Sequence, residues 1–259
     1  MEETESSKIP AWSHLLLAAI LVAVVGGAFW LKSRPALSLP KLFGGDAARQ
    51  ETTEALLARG IQAHTAGSYD AAIELYHKVL QRDPSHHQAH YNIAQIYNVR
   101  GQYAKAQWEY EAALKAEPKF LDARLNLGVV LYRQRQFAAA AEAFREVLKD
   151  SPKHSLALFN LGAALLEQGQ TDQAIPWLNR ALREDPKRPD NYYYLGLAQQ
   201  KRRRLPEARA ALEKAVELNP KHAHAFAALI KVYLMQGERQ LALDTLAKTQ
   251  AKFPGPTVK

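Results

Sequence analysis

Asparagine recurs at Asn92, Asn126 and Asn160, each 34 residues after the last. A carboxamide both donates and accepts, so amides in register could pair with the backbone of an extended chain whatever its side chains. Tyr91, Phe159 and Tyr193 stand beside them, and such rings seat apolar side chains. The densest charge run is Lys201, Arg202, Arg203 and Arg204 in "KRRRL". It could dock an acidic partner or an anionic membrane surface; a solvated turn carries the same composition. His86 and His90 in "HHQAH" are four apart and would share a helix face. No acidic residue joins them locally, and a bare pair is too little for a metal site. There is no phosphate loop, nucleophile elbow, HExxH or framed carboxylate pair. The chain has no cysteine, which excludes disulfides, thiol nucleophiles and thiolate metal sites. The expectation is no enzyme, no cofactor and no metal.

The 259 residues are 47% apolar and 23% charged, the composition of a folded protein. The formal charge of +8 is spread over a long chain. That is mildly basic, suited to acidic partners or lipid head groups, and not the footprint of a nucleic-acid binder. After a polar tail (residues 1–10), residues 11–31 contain "AWSHLLLAAILVAVVGGAFWL". As a helix at about 1.5 Å per residue this matches a bilayer core of about 30 Å. Trp12 and Trp30 flank it, where interfacial rings sit. A cleaved signal peptide would want a basic start, and "MEETESSK" is net acidic. The expectation is a retained single-pass anchor. Lys32, Arg34 and Lys41 against Lys8 favour the cytoplasmic face for the body, with the extracytoplasmic (periplasmic) face as the alternative. Residues 32–52, with Pro35, Pro40, Gly44 and Gly45, read as a linker.

The elements that must position the asparagines show a strict period. Proline occurs at 84, 118, 152, 186, 220 and 254, and alanine at 72, 106, 140, 174, 208 and 242. Residues 53–256 therefore divide into six units: 53–86, 87–120, 121–154, 155–188, 189–222 and 223–256. In the third unit, Leu125, Leu127, Gly128 and Leu131 form one helical stripe. Ala140, Phe144, Val147 and Leu148 form a second, and "RQRQ" turns between them. Proline suits the end of one helix and the start of the next. Gly60, Ala94, Gly128, Gly162 and Gly196 mark close helix approach, with the alanine series facing them. Tyr76, Tyr110, Phe144, Leu178, Leu212 and Leu246 are expected to fill the space between units.

This skeleton resembles the tetratricopeptide repeat (TPR) family in its period, its small residue in the first helix, Tyr69, Tyr103 and Phe137 after the turn, and its closing proline. The resemblance covers about 200 of the 259 residues. Arg59 and Ile230 depart from the pattern, in end units where one face has no neighbour. The resemblance implies an all-α solenoid, a right-handed superhelix whose first helices line a concave groove for a protein or peptide. Asn92, Asn126, Asn160, Tyr91, Phe159 and Tyr193 would then line that groove. The carboxylate clamp of chaperone-binding members is not in its usual place, since Leu57, Ile61, Asp122 and Asn126 occupy those positions. The functional expectation is a membrane-anchored scaffold that recruits a protein client. A self-assembling array joined through its end repeats is the alternative.

Overall fold

The computed structural model describes residues 51–252, and the expected anchor at 11–31, its flanking tail and the linker up to residue 50 lie outside them. Among the described residues there are twelve helices and no strand. They are α1 Thr53–Thr65, α2 Tyr69–Arg82, α3 His87–Val99, α4 Tyr103–Ala116, α5 Leu121–Arg133 and α6 Phe137–Asp150, followed by α7 Ser155–Glu167, α8 Thr171–Glu184, α9 Pro189–Lys201, α10 Leu205–Leu218, α11 Ala223–Gln236 and α12 Arg239–Lys252. No described helix is long and apolar enough to cross a membrane. Odd-numbered helices open each repeat and even-numbered ones close it. Each helix packs on its neighbours in sequence, and along most of the array successive opening helices also touch one another, whereas successive closing helices splay apart. The opening helices therefore form the inner wall of the solenoid.

The helices begin and end by recurrent means. The residue before each opening helix is Thr52, His86, Phe120, His154, Arg188 or His222. Thr52 accepts a hydrogen bond from the Ala55 N–H through Oγ1 at 3.1 Å. His86, His154 and His222 do the same through Nδ1, from Ala89, Ala157 and Ala225. Each satisfies an orphan donor of the first turn. The periodic prolines lie two residues ahead of these caps, in the turn, and not at the first helical position. Three of their carbonyls are taken by side chains: Pro84 by His90, Pro118 by Arg124 and Pro152 by Arg180.

The turn inside each repeat is one motif used six times. After α5, for example, the Arg135 N–H donates to the Tyr132 carbonyl and the Gln136 N–H to the Leu131 carbonyl. This Schellman closure needs a left-handed residue at its corner. That corner is Gly67, Gly101, Gly169 or Gly237 in four repeats, but Arg135 (φ 62°) and Arg203 (φ 59°) in the other two. A side chain there costs about 1 kcal/mol relative to glycine.

The core pairing adds a close partner to the sequence expectation. A Cβ on Gly60 would lie 2.5 Å from Tyr76 Cε1, on Gly128 2.5 Å from Phe144 Cε1, on Gly162 2.7 Å from Leu178 Cγ, and on Gly196 2.6 Å from Leu212 Cγ. The large series shares core clusters with residues of the next repeat, as Tyr76 does with Ala89 and Ile93, and each small residue also faces the large residue sixteen positions later in its own repeat. The reason is the register across the turn: a short Schellman closure brings the middle of the opening helix opposite the middle of the closing one. In the second repeat Ala94 and Tyr110 hold the same places, both fully buried. In the sixth, Ile230 meets a position whose Leu246 is 41% exposed, so the end repeat loses the close approach.

Gly128→Val inserts a branched side chain against the fully buried Phe144 ring and is expected to lower stability by about 2–3 kcal/mol. Adding Phe144→Ala should restore part of that loss, as read by urea unfolding of the two single variants and the double. Strict additivity would disprove the pairing.

Candidate functional site

The inner wall carries a cleft of about 450 Å³ across the third, fourth and fifth repeats. Tyr132 of α5, Phe159 and Asn160 of α7 and Tyr194 of α9 line it, with Arg135 and Glu167 at its mouth. The elements place these side chains by periodicity: successive opening helices present equivalent positions side by side. Tyr194 is the 34-residue successor of Asn160, so a ring occupies the fourth rung of the asparagine series. The Tyr132 and Tyr194 hydroxyls meet at 3.3 Å. The Phe159 ring stands edge-on to Tyr194 at 5.2 Å and 87°. Tyr132 is edge-on to Phe137 at 5.2 Å. The Arg188 guanidinium lies over Phe159 at 5.5 Å and that of Arg135 over Phe137 at 5.8 Å. Burial, and then the hydrogen bond to Tyr194, push the Tyr132 phenol far up, so its hydroxyl stays protonated and remains a donor.

The three asparagines are not equivalent. Asn92 is buried; its Oδ1 accepts from Gln88 at 3.3 Å and its Nδ2 has no protein partner. Asn126 is half-buried and donates to the Tyr91 hydroxyl at 3.2 Å, which also accepts from Gln95 at 2.9 Å. Asn160 is half-buried on the cleft wall with its amide unpaired. Tyr91 packs against Phe120, the last residue of the same repeat, at 4.7 Å. Tyr193 packs between Tyr194 and His222 at 5.2 and 4.9 Å. The structure therefore gathers Phe159 and Asn160 at the cleft and leaves Tyr91 and Asn92 in the second repeat. Tyr132, Arg135 and Tyr194 were not singled out in the sequence, and Arg188 stood there only as a basic residue near the charge run. Tyr194 was findable from the 34-residue register, and the others only from the fold.

The basic run is divided in its roles. Arg202 pairs with Asp172 at 2.8 Å. Lys201 donates to the Leu166 carbonyl at 3.0 Å. Arg203 is the left-handed corner residue, and Arg204 precedes α10.

The histidines have structural partners. His90 is buried, with Nδ1 2.6 Å from Glu109 Oε2 and Nε2 3.0 Å from the Pro84 carbonyl oxygen. The sequence offered no acid near it; the fold supplies Glu109 from α4. Among the described residues no group of three or more His, Asp or Glu side chains is arranged to hold a metal. A larger hollow of about 570 Å³ lies on the other side of the array beside His90 and the 62% exposed Trp108, and none of the groove residues reaches it.

With the geometry described, the relatives fall into place. Models of the tetratricopeptide repeat match residues 99–146 and 130–189, and a second such model matches 63–107. A model described as anaphase-promoting complex, cyclosome, subunit 3 matches residues 167–249. The chain is a tetratricopeptide-repeat protein, and its described residues form a protein-interaction scaffold of that type. Similar solved structures include YrrB, described as a TPR protein with an unusual peptide-binding site. It is 25% identical, with 69% of this chain and 92% of that one covered and a TM-score of 0.62. PilF of Pseudomonas aeruginosa is 23% identical over 80% of this chain and 94% of that one, with a TM-score of 0.67. PilW, described as a type IV pilus biogenesis factor, is 24% identical over 79% and 95%, with a TM-score of 0.70. At those identities PilF and PilW speak for the fold alone. No curated protein sequence matches the chain.

Burial works against a charged His90 ring, but hydrogen bonds to Glu109 and to the Pro84 carbonyl outweigh it, and its pKa is raised above the ordinary 6.5. The folded ring holds its proton more tightly than the unfolded one. Its contribution to stability is thus complete below about pH 6.5 and lost as pH rises through the higher folded-state value. Thermal unfolding should show stability falling across that window, and His90→Gln should flatten the fall. An unchanged slope in the variant would mean that this pair is not its source.

Proposed function

We propose that this chain is a membrane-anchored adaptor whose repeats bind an extended segment of a client protein along the inner wall and so help assemble or recruit a membrane-associated complex. One observation carries the reading. A cleft on the opening helices combines an unpaired amide, Asn160, with the Tyr132 and Tyr194 hydroxyls and the Phe159 ring. The amide and hydroxyls suit a peptide backbone, and the rings suit one apolar side chain. Asn126, its donor committed to Tyr91, keeps its carbonyl oxygen to accept from a backbone N–H. YrrB's description as a peptide-binding TPR protein supports the same reading. The anchor rests on the sequence of residues 11–31 alone. Tethering would raise the local concentration of whatever the groove holds, without any further contact. The charge flanking the span favours the cytoplasmic face for the groove, with the extracytoplasmic face as the alternative.

The test is capture from detergent-solubilised membranes by the full chain. Replacing Asn126 and Asn160 together by alanine removes two hydrogen-bonding groups and is expected to weaken client retention about tenfold, while loss of the Asn126–Tyr91 junction bond lowers stability by about 1 kcal/mol. Equal retention by a stably folded variant removes the groove reading.

A second reading has its own observation. The last helix exposes Leu241, Leu243 and Leu246, and α11 exposes Leu234 at 56%. An uncovered apolar end face suits stacking with another copy. Sedimentation should then show mass rising with concentration, and Leu243→Glu should abolish the rise. A monomer at all concentrations would eliminate this reading.

A further inference from the structure

Several arginines of the array pair with a carboxylate. Arg59 pairs with Glu51, Arg100 with Asp70, Arg124 with Asp150, Arg202 with Asp172 and Arg209 with Glu213 and Glu238. Arg133, Arg135, Arg188 and Arg203 are among the nine arginines with none in the described residues. All four belong to the middle of the array. Arg133 and Arg135 line the cleft, and Arg188 stacks on the Phe159 ring in its wall. Arg203 lines a neighbouring recess of about 280 Å³ together with Lys201 and Lys231, and no carboxylate faces it. The one acid at the main cleft is the exposed Glu167.

The backbone singles out two of these residues independently of charge. The corner position is glycine in four repeats, and those glycines have open space around the place of a Cβ. Packing therefore does not select the residue there; the left-handed backbone does, and it favours glycine. Arg135 and Arg203 occupy that corner against the backbone preference, and neither gains an ion pair in return. Arg135 has only the face of the Phe137 ring at 5.8 Å, and a left-handed corner without an ion pair, beside a cleft, points outward to a ligand.

We propose that the segment bound in the groove is acidic, with carboxylates on both sides of one aromatic or large apolar residue. The apolar residue enters the Tyr132–Phe159–Tyr194 cleft. The flanking carboxylates meet Arg133 and Arg135 at one end, and Arg203 and Lys231 at the other. A guanidinium takes a carboxylate by two parallel hydrogen bonds, which makes arginine the residue suited to such a rim. An extended peptide can place charges at the rim and a ring in the cleft together. A flat lipid surface can meet the rim but not the cleft, so the geometry favours the peptide. This inference rests on the groove reading above and adds the chemistry of the segment.

The probe is a fluorescein-labelled peptide in which glutamates flank a central phenylalanine, and its twin with glutamines in place of the glutamates. Both are titrated against the full chain in neutral detergent and followed by anisotropy. The glutamate peptide should bind at least about tenfold more tightly, and the difference should shrink as salt is raised. Arg135→Gly with Arg203→Gly should erase the difference. Glycine suits the left-handed corner, so thermal stability should hold or rise and misfolding cannot account for the loss. No binding of the glutamate peptide, equal binding of the two peptides, or an undiminished preference in the double-glycine variant overturns the proposal. In each of those cases the effect of Asn126→Ala with Asn160→Ala on client retention still decides the groove reading separately.

Discussion

The close approach of two helices inside each repeat is the constraint on which the rest of the array depends. It needs a residue with little or no side chain on the opening helix and a large one on the closing helix. Gly128 against Phe144 shows how tight the fit is, since an added methyl would sit well inside van der Waals contact. The short Schellman turn holds the register that brings the two together. Repeated along the chain, the pair sets the angle of every repeat, and the stack of equal angles generates the inner wall. Where Ile230 replaces the small residue, Leu246 is partly exposed and the last helix shows apolar surface.

The cleft is built against this frame, with Tyr132, Phe159 and Tyr194 partly buried on the core. The same period that repeats the joints also brings unlike side chains into line, so Asn126, Asn160 and Tyr194 become neighbours on one wall although 34 residues separate each from the next. A solenoid of this kind can change its surface without disturbing its core, because each repeat contacts only its neighbours.

Polar groups at the junctions between repeats do a different job. His90, held between Glu109 and the Pro84 carbonyl, fixes the start of one repeat to the end of the one before. Asn191, fully buried, donates to the Asp185 and Ala181 carbonyls at the junction of the fourth and fifth repeats. Tyr91 with Asn126 spans the second junction from the groove side. Each satisfies groups that a bend between repeats would otherwise leave buried and unpaired. The chain thus uses apolar close packing inside repeats and hydrogen-bonded pairs between them.

The sequence by itself determined the architecture. Prolines and alanines at a fixed interval, with stripes of apolar residues between them, could only describe a two-helix unit repeated six times, because periodicity is a local property that survives without knowledge of the fold. It also indicated Asn160 and Phe159 beside one another. Only the tertiary structure showed how closely the joints meet, since the contact of Gly128 with Phe144 depends on the register across a turn. Only it distinguished three identical asparagines, burying Asn92, engaging Asn126 and leaving Asn160 open. It brought Glu109 to His90, and it placed Arg135 and Arg203 at left-handed corners beside the clefts. Those distinctions arise from contacts between residues far apart in the chain and from backbone conformation at single positions, and neither leaves a mark in spacing alone.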